Sequence, residues 1–456
     1  MKRLTQGLRR IKLRGEDNSL WRRFRRNVSI SVFGSGLSLA IKLLQTALLT
    51  RMLKIDDYGR VLIVINLFVF LDTFLGFRVS DAMFRFYQPL NEQGEDRALK
   101  RLLLACLGIS LASGLLICSL VWILSPWLAD RFYPGLALGP LFNVYAFTIL
   151  VSTFSGFYEP ILRMHDHFKS IVVPQVLGSL CTLMILGLYF IARNGYDLRL
   201  IIAAFAIGVL VRSIPPLAHS LQIVRPLLVK RSTQRASRSS ERLRSDFIRC
   251  LFNSNLSGYL RIGINPGDLF LLGLFSSPAQ VALYGLAKQL TAPLSLLTTN
   301  TQTAISPEIT SLIAKRKFQQ LRRFVVQYVG SAMILSLCLL LTAVLLGPTV
   351  LRLFQPQYAA ALPSFYILMT VVGITFVFVA FRPLAVSLDL LKWHNLGLFV
   401  SSGIVIVFLF VGELTAFRMA CIQLADTLIV RSLFNLVVWK RLKGRKEIDS
   451  EVLVTA

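Results

Sequence analysis

The chain has 456 residues, of which 55% are hydrophobic and only 16% charged, and its mean hydropathy is +0.64. A water-soluble fold of this length needs far more charge to cover its surface, so the composition excludes one. Fifty Lys and Arg against 23 Asp and Glu give a formal net charge of +27; these basic residues fall between apolar runs, where they act as topology signals rather than as a nucleic-acid surface.

Residues 1–26 hold about ten Lys and Arg together with Glu16 and Asp17, and no apolar core precedes Val28, so the segment does not read as a cleavable signal. Leu4, Leu8, Ile11, Trp21 and Phe24 alternate with Arg, which suits either a basic helix lying on an anionic leaflet or a basic tail. Apolar runs of bilayer-spanning length then predict helices at 28–51, 61–80, 102–125, 140–160, 171–192, 199–221, 247–275, 281–305, 325–347, 364–386, 394–412 and 415–438. Basic residues concentrate in the two terminal segments and in every second loop, which places both termini on the cytoplasmic side. The expected fold is an all-α polytopic membrane protein of about twelve spans.

The longest inner connection, Gln222–Asp246, is rich in Arg and Ser and reads as a solvated linker. It divides the chain into a basic segment (1–26), an N-terminal six-helix lobe (27–221), the linker (222–246), a C-terminal six-helix lobe (247–438) and a basic tail (439–456). An ungapped shift of about 226 positions lays Asn27 on Asn253, Ser31 on Ser257, Lys42 on Asp268 and Tyr58-Gly59 on Tyr284-Gly285, the signature of an internal repeat. The six cysteines are isolated, with no Cys-x-x-Cys, so neither disulfides nor a metal is expected. His165 and His167 are too few for a metal centre, and no cofactor is predicted.

Polar residues inside a span need a partner, water or an escape to the interface. The first span carries Ser31, Ser35, Ser38, Lys42 and Gln45 at steps of three and four, on one helical face. The seventh repeats the design with Ser254, Ser257, Arg261, Asn265 and Asp268. Such stripes should face each other or an aqueous cavity, with Lys42 and Arg261 as its leading cations. Asp268 reads equally as an ion-pair partner of Arg261 or Lys42 and as a cation site. Arg212 and Asp426 lie deep in their spans, and Asp72 lies at mid-span. Lys288 and Glu159 fall near span ends. The run from Thr291 to Thr303 is unusually rich in Thr, Ser, Asn and Gln, suited to helix packing or to cavity lining. Pro266 and Pro293 break backbone hydrogen bonds within their spans and offer hinges.

The stretch from Leu49 to Gly59, LTRMLKIDDYG, resembles the "R-x-L-G-x-x-x-Y-G" turn of bacterial polysaccharide flippases of the multidrug/oligosaccharidyl-lipid/polysaccharide exporter superfamily. Gly267 to Ala287 is similar to that family's "D-x-x-x-L-G-x-F…G-x-Y-x-x-A" segment, and Ile305 to Glu308 and Phe354 to Leu362 also fit its pattern. Lys54 and Ala282 depart from it, each standing where the family has Gly. The resemblance implies two six-helix lobes around a cavity that opens alternately to each side of the bacterial inner membrane. Its cargo would be a short glycan on a polyprenyl diphosphate, for surface polysaccharide such as lipopolysaccharide. Lys42 and Arg261 would meet the diphosphate, with Arg51 at the outer rim, and Na⁺ or H⁺ coupling and glycan polymerase or chain-length partners would accompany it. A cation-coupled drug antiporter of the same superfamily is the alternative reading. A membrane glycan polymerase or ligase is the second alternative, disfavoured by short outer loops.

Overall fold

The structure, a computed structural model, describes residues 29–77, 79–92, 94–132, 139–192, 197–229, 245–252, 255, 267–314, 317–387, 391–410 and 412–443. Its elements are helices: α1 (Ser29–Met52), α2 (Ile55–Leu75), α3 (Val79–Glu92), α4 (Asp96–Phe132), α5 (Gly139–Ser152), α6 (Ser155–Met164), α7 (Lys169–Ala192), α8 (Leu198–Val229) and α9 (245–252). There follow α10 (Asp268–Phe275), α11 (Pro278–Ala314), α12 (Phe318–Phe354), a 3₁₀ turn (Pro356–Ala361), α13 (Leu362–Val377), α14 (Phe381–Ser387), α15 (Leu391–Phe410) and α16 (Ala416–Lys443). No strand occurs among the described residues. Helices satisfy their own backbone groups, which is what a chain crossing hydrocarbon requires.

Seven helices among the described residues are long and apolar enough to cross a membrane. The chain is therefore a multi-pass membrane protein. The predicted span 140–160 is interrupted, and part of 247–275 lies outside the described residues. The predicted span 61–80 ends at Leu75, where Gly76 caps α2 through its N–H to the Asp72 carbonyl at 2.8 Å, and α3 starts afresh at Val79. The predicted span 140–160 breaks at Thr153-Phe154 into α5 and α6, and 364–386 breaks at 378–380 into α13 and α14. These last two breaks fall at equivalent places under the shift of about 226 residues read from the sequence. α8 continues helical through Val229, into the segment read as linker.

Apolar residues also explain how the helices meet. α7 packs against α8, α4 against α5, α12 against α13, and α15 against α16. Gly178 and Gly208 allow the first of these crossings. A Cβ on Gly178 would stand 2.5 Å from the Gly208 carbonyl oxygen, and one on Gly208 would stand 2.0 Å from the Thr182 hydroxyl. Small residues four apart let two backbones approach closely in a membrane, and here they seat Arg212 one turn beyond Gly208.

The two halves meet chiefly where α2 lies against α10 and α11. Gly59 abuts the Pro278 carbonyl oxygen, which a Cβ would approach to 1.8 Å, and Gly285 abuts Leu62, whose Cδ1 would be 2.5 Å away. These are the two Tyr-Gly pairs related by the repeat, each glycine turned toward the other half. Val61, Ile63, Val64, Leu272, Val281 and Leu286 fill the seam, and the rings of Tyr58 and Tyr358 meet edge to face with centroids 6.2 Å apart. At the α6–α7 turn, Asp166 adopts φ +60 and the His167 N–H reaches back to the Leu162 carbonyl at 2.8 Å. That is a helix-ending motif in which Asp takes the place usually held by Gly.

Candidate functional site: two polar cavities joined at Lys288

Two cavities stand out among the described residues of the helical body. The first, about 510 Å³, is lined from α1, α2, α5, α7, α8, α10 and α11. Lys42 and Gln45 project into it from α1, Arg212 from α8, and Lys288 and Gln289 from α11, with Asn66, Tyr58 and Tyr145 adding further polar groups. Among the described residues no Asp or Glu lines it. α1 is held in place by its own polar face: the Gln45 amide donates to the Ser179 carbonyl at 2.6 Å, and the Gln289 amide donates to the Lys42 carbonyl at 3.2 Å. Arg212 is an electrostatic neighbour of both Lys42 and Asp72, and Asp72 is not one of the residues that line the cavity.

The second cavity, about 460 Å³, belongs to the other half of the chain. α11 contributes Lys288, Thr291, Ser295, Thr298, Thr299 and Gln302; α13 contributes Thr375; Arg382 stands at the start of α14; and α16 contributes Gln423, Asp426 and Thr427. Ser401 of α15 hydrogen-bonds the Asp426 carboxylate. Lys288 and Ala292, one turn apart on α11, line both cavities and form the partition between them.

Behind that partition sits Asp268, fully buried at 0% exposure. The Lys288 ammonium donates to both of its oxygens at 2.7 Å. The Tyr284 hydroxyl donates at 2.7 Å, the Gln423 amide at 2.6 Å and the Leu269 N–H at 2.8 Å. A buried carboxylate is tolerated only when its charge and its lone pairs are answered, and five hydrogen bonds from α10, α11 and α16 do so. The Lys288 side chain, by contrast, keeps 28% of its surface exposed.

The predicted site residues thus divide. Lys42, Arg212 and Gln45 line the first cavity, and Asp426 lines the second. Asp268 lines neither. Its partner is Lys288, which the sequence placed near a span end, and not Lys42. Ser35 and Ser38 share the polar face of α1 but line neither cavity, Ser38 being buried with its hydroxyl lacking a partner. Arg51 also stands outside both walls and donates to the Leu353 carbonyl at 3.2 Å, tying the end of α1 to the end of α12. Pro293 does not break α11, which runs unbroken from Pro278 to Ala314; the missing N–H leaves the Gln289 carbonyl without its helical donor. Arg261, Ser257, Asn265 and Pro266 lie outside the described residues. Among the described residues no group of three His, Cys, Asp or Glu side chains is placed to hold a metal.

Sequence reasoning missed Lys288, Tyr284, Gln423, Thr375 and Arg382. One signal was present: the repeat lays Tyr58 on Tyr284 and Lys42 on Asp268. It marks a tyrosine and an ionisable residue as a recurring pair, with opposite sign in the two halves.

Residues 24–313 match the family described as polysaccharide biosynthesis protein. The chain belongs to that family. Solved structures it is similar to include transporters of the MOP superfamily. One is the inward-facing conformation of a multidrug resistance MATE family transporter, with a TM-score of 0.70 at 15% identity over 90% of this chain and 96% of that one. An outward-facing conformation of such a transporter gives 0.57 at 16% identity over 93% and 96%. A MOP superfamily transporter from Pyrococcus furiosus, described as having a binding pocket of reverse polarity, gives 0.58 at 15% identity over 93% and 96%. These likenesses establish a shared fold for this polysaccharide biosynthesis protein. No curated protein matches its sequence.

Proposed function

We propose that the protein is a flippase that carries a polyprenyl-diphosphate-linked oligosaccharide across the bacterial inner membrane by alternating access, for surface polysaccharide biosynthesis. The first cavity carries this reading. Lys42 and Arg212 line it beside Lys288, whose ammonium is already paired with the buried Asp268, and among the described residues no Asp or Glu is on the wall. A diphosphate is anionic and strongly hydrated, and ammonium and guanidinium groups in a wet cavity offset its desolvation. The polyprenyl tail stays in the bilayer, so the cavity accepts only the headgroup and sugars.

Under this reading the chain has about twelve spans in two lobes, 27–221 and 247–438, joined by a cytoplasmic linker with both termini on the same side. The lobes rock about the seam of α2 with α10 and α11, where Gly59 and Gly285 permit close backbone approach. The deciding experiment is deletion followed by lipid analysis. An undecaprenyl-linked oligosaccharide accumulating in the inner leaflet supports the flippase, and restored display by wild type but not by Lys42→Glu or Arg212→Glu ties it to the cavity.

A drug/cation antiporter is the competing reading. It draws on the fold of the solved neighbours and on the carboxylate of Asp426 in the second cavity. Raised drug sensitivity with normal surface glycan in the deletion strain decides for it.

A further inference from the structure

The two cavities differ in hydrogen-bonding character. The first is donor-rich: ammonium, guanidinium and amide groups face it. In the second, the hydroxyls already spend their protons on their own helices. Thr291 donates to the Lys288 carbonyl at 2.8 Å, Ser295 to Thr291 at 3.4 Å, Thr298 to Leu294 at 3.1 Å and Thr375 to Val371 at 2.9 Å. A hydroxyl that has donated its only proton keeps two acceptor lone pairs, so this wall offers acceptors. Asp426, with Ser401 bonded to its carboxylate, adds more of the same kind.

This cavity of about 460 Å³ sets a cluster of hydroxyl acceptors among the Gln302 and Gln423 amides, Asp426, Lys288 and Arg382, and among the described residues no aromatic side chain lines it for a flat aromatic cation to stack on. It suits a neutral molecule dense in O–H and N–H donors. We propose that the second-lobe cavity is a carbohydrate subsite, whose Ser295, Thr298 and Thr375 hydroxyls accept hydrogen bonds from sugar hydroxyls while the diphosphate sits in the first cavity. This rests on the flippase reading above. Lys288, on the partition, then stands where phosphate and first sugar join.

The test uses the purified full-length protein in nanodiscs and two probes. One is undecaprenyl diphosphate without sugar; the other is the undecaprenyl-linked oligosaccharide extracted from a deletion strain. Ser295→Ala with Thr375→Val removes two acceptors and leaves the helix backbone bonds intact. Affinity for the glycosylated lipid falls about tenfold, two ordinary hydrogen bonds, while affinity for the bare lipid is unchanged and certifies the fold. Ser295→Ala alone, at an exposed position, costs about threefold and keeps the test available if the pair folds poorly. No loss, or equal loss for both lipids, overturns the subsite and leaves the flippase standing. Wild type binding neither lipid overturns both.

Discussion

Lys288 donates to both carboxylate oxygens of Asp268 at 2.7 Å, yet only one member of the pair is sealed away: the acid is fully buried and the ammonium borders water in two cavities. The pair therefore joins a structural anchor to an accessible charge. Removing the cation strands a buried negative charge, whereas removing both partners does not.

Lys288→Met is expected to destabilise the protein by on the order of 3 kcal/mol, and Asp268→Asn with Lys288→Met to recover much of that loss. Thermal unfolding of the two single variants and the double variant in detergent measures the coupling. Additive losses would show that the pair contributes nothing beyond its parts.

The two seam glycines should not tolerate a methyl group equally. At Gly59 the obstacle is backbone, the Pro278 carbonyl; at Gly285 it is the end of the Leu62 side chain, which can rotate. Gly59→Ala is expected to lower the unfolding temperature and membrane yield clearly, by an overpacking cost of about 1–3 kcal/mol, and Gly285→Ala to cost less. Equal losses would mean that α2 and α11 are looser than this packing describes.

Gly178→Ala should act at a distance. A methyl group there meets the Gly208 carbonyl oxygen at 2.5 Å and the Arg212 Cβ at 3.0 Å, so α8 must shift and carry the guanidinium with it. Surface glycan should fall while the protein remains in the membrane. Blots of membrane fractions beside glycan stains separate that outcome from simple loss of the protein.

Stability should also depend on pH through the α6–α7 turn. The His165 Nε2 lies 2.9 Å from the Tyr87 hydroxyl, and burial, with His167 beside it, lowers its pKa below the ordinary 6.5. The unfolded chain therefore takes up this proton first as pH falls, so stability declines below about pH 6.5 until the folded form also protonates. Unfolding temperatures between pH 7.5 and pH 5.5 should drop more for wild type than for His165→Gln. Parallel curves would remove His165 from the account.

Much of this was legible in the sequence, because bilayers enforce simple patterns. Runs of apolar residues marked most helices, and steps of three and four marked the face on which Lys42 and Gln45 reach the cavity. The repeat was visible in Tyr58-Gly59 and Tyr284-Gly285, though not its consequence, that each glycine lies against the opposite half. Partnerships across helices were hidden. Asp268 and Lys288 are twenty residues apart, and only the turn between α10 and α11 brings them together. The breaks inside α5–α6 and α13–α14 were equally hidden, because both flanks of each are apolar. The threonine-rich stretch of α11 left packing and cavity lining open until the helix was placed beside α13 and α16.

The sign reversal between Lys42 and Asp268 has an electrical consequence. In the second half the acid carries its own counter-ion, Lys288, so that pair is internally balanced. In the first half Lys42 and Arg212 line the cavity with Asp72 as an electrostatic neighbour of Arg212, and these three ionised groups carry one positive charge in excess. When empty, the protein holds that charge within the bilayer, and a membrane potential exerts a force on it worth about 2.3 kcal/mol per 100 mV for full transit. Under the flippase reading, a diphosphate diester, with one negative charge on each phosphorus, reverses the sign of that excess. An interior-negative potential then draws the empty, positive cavity toward the cytoplasmic side and favours outward passage of the loaded, negative one.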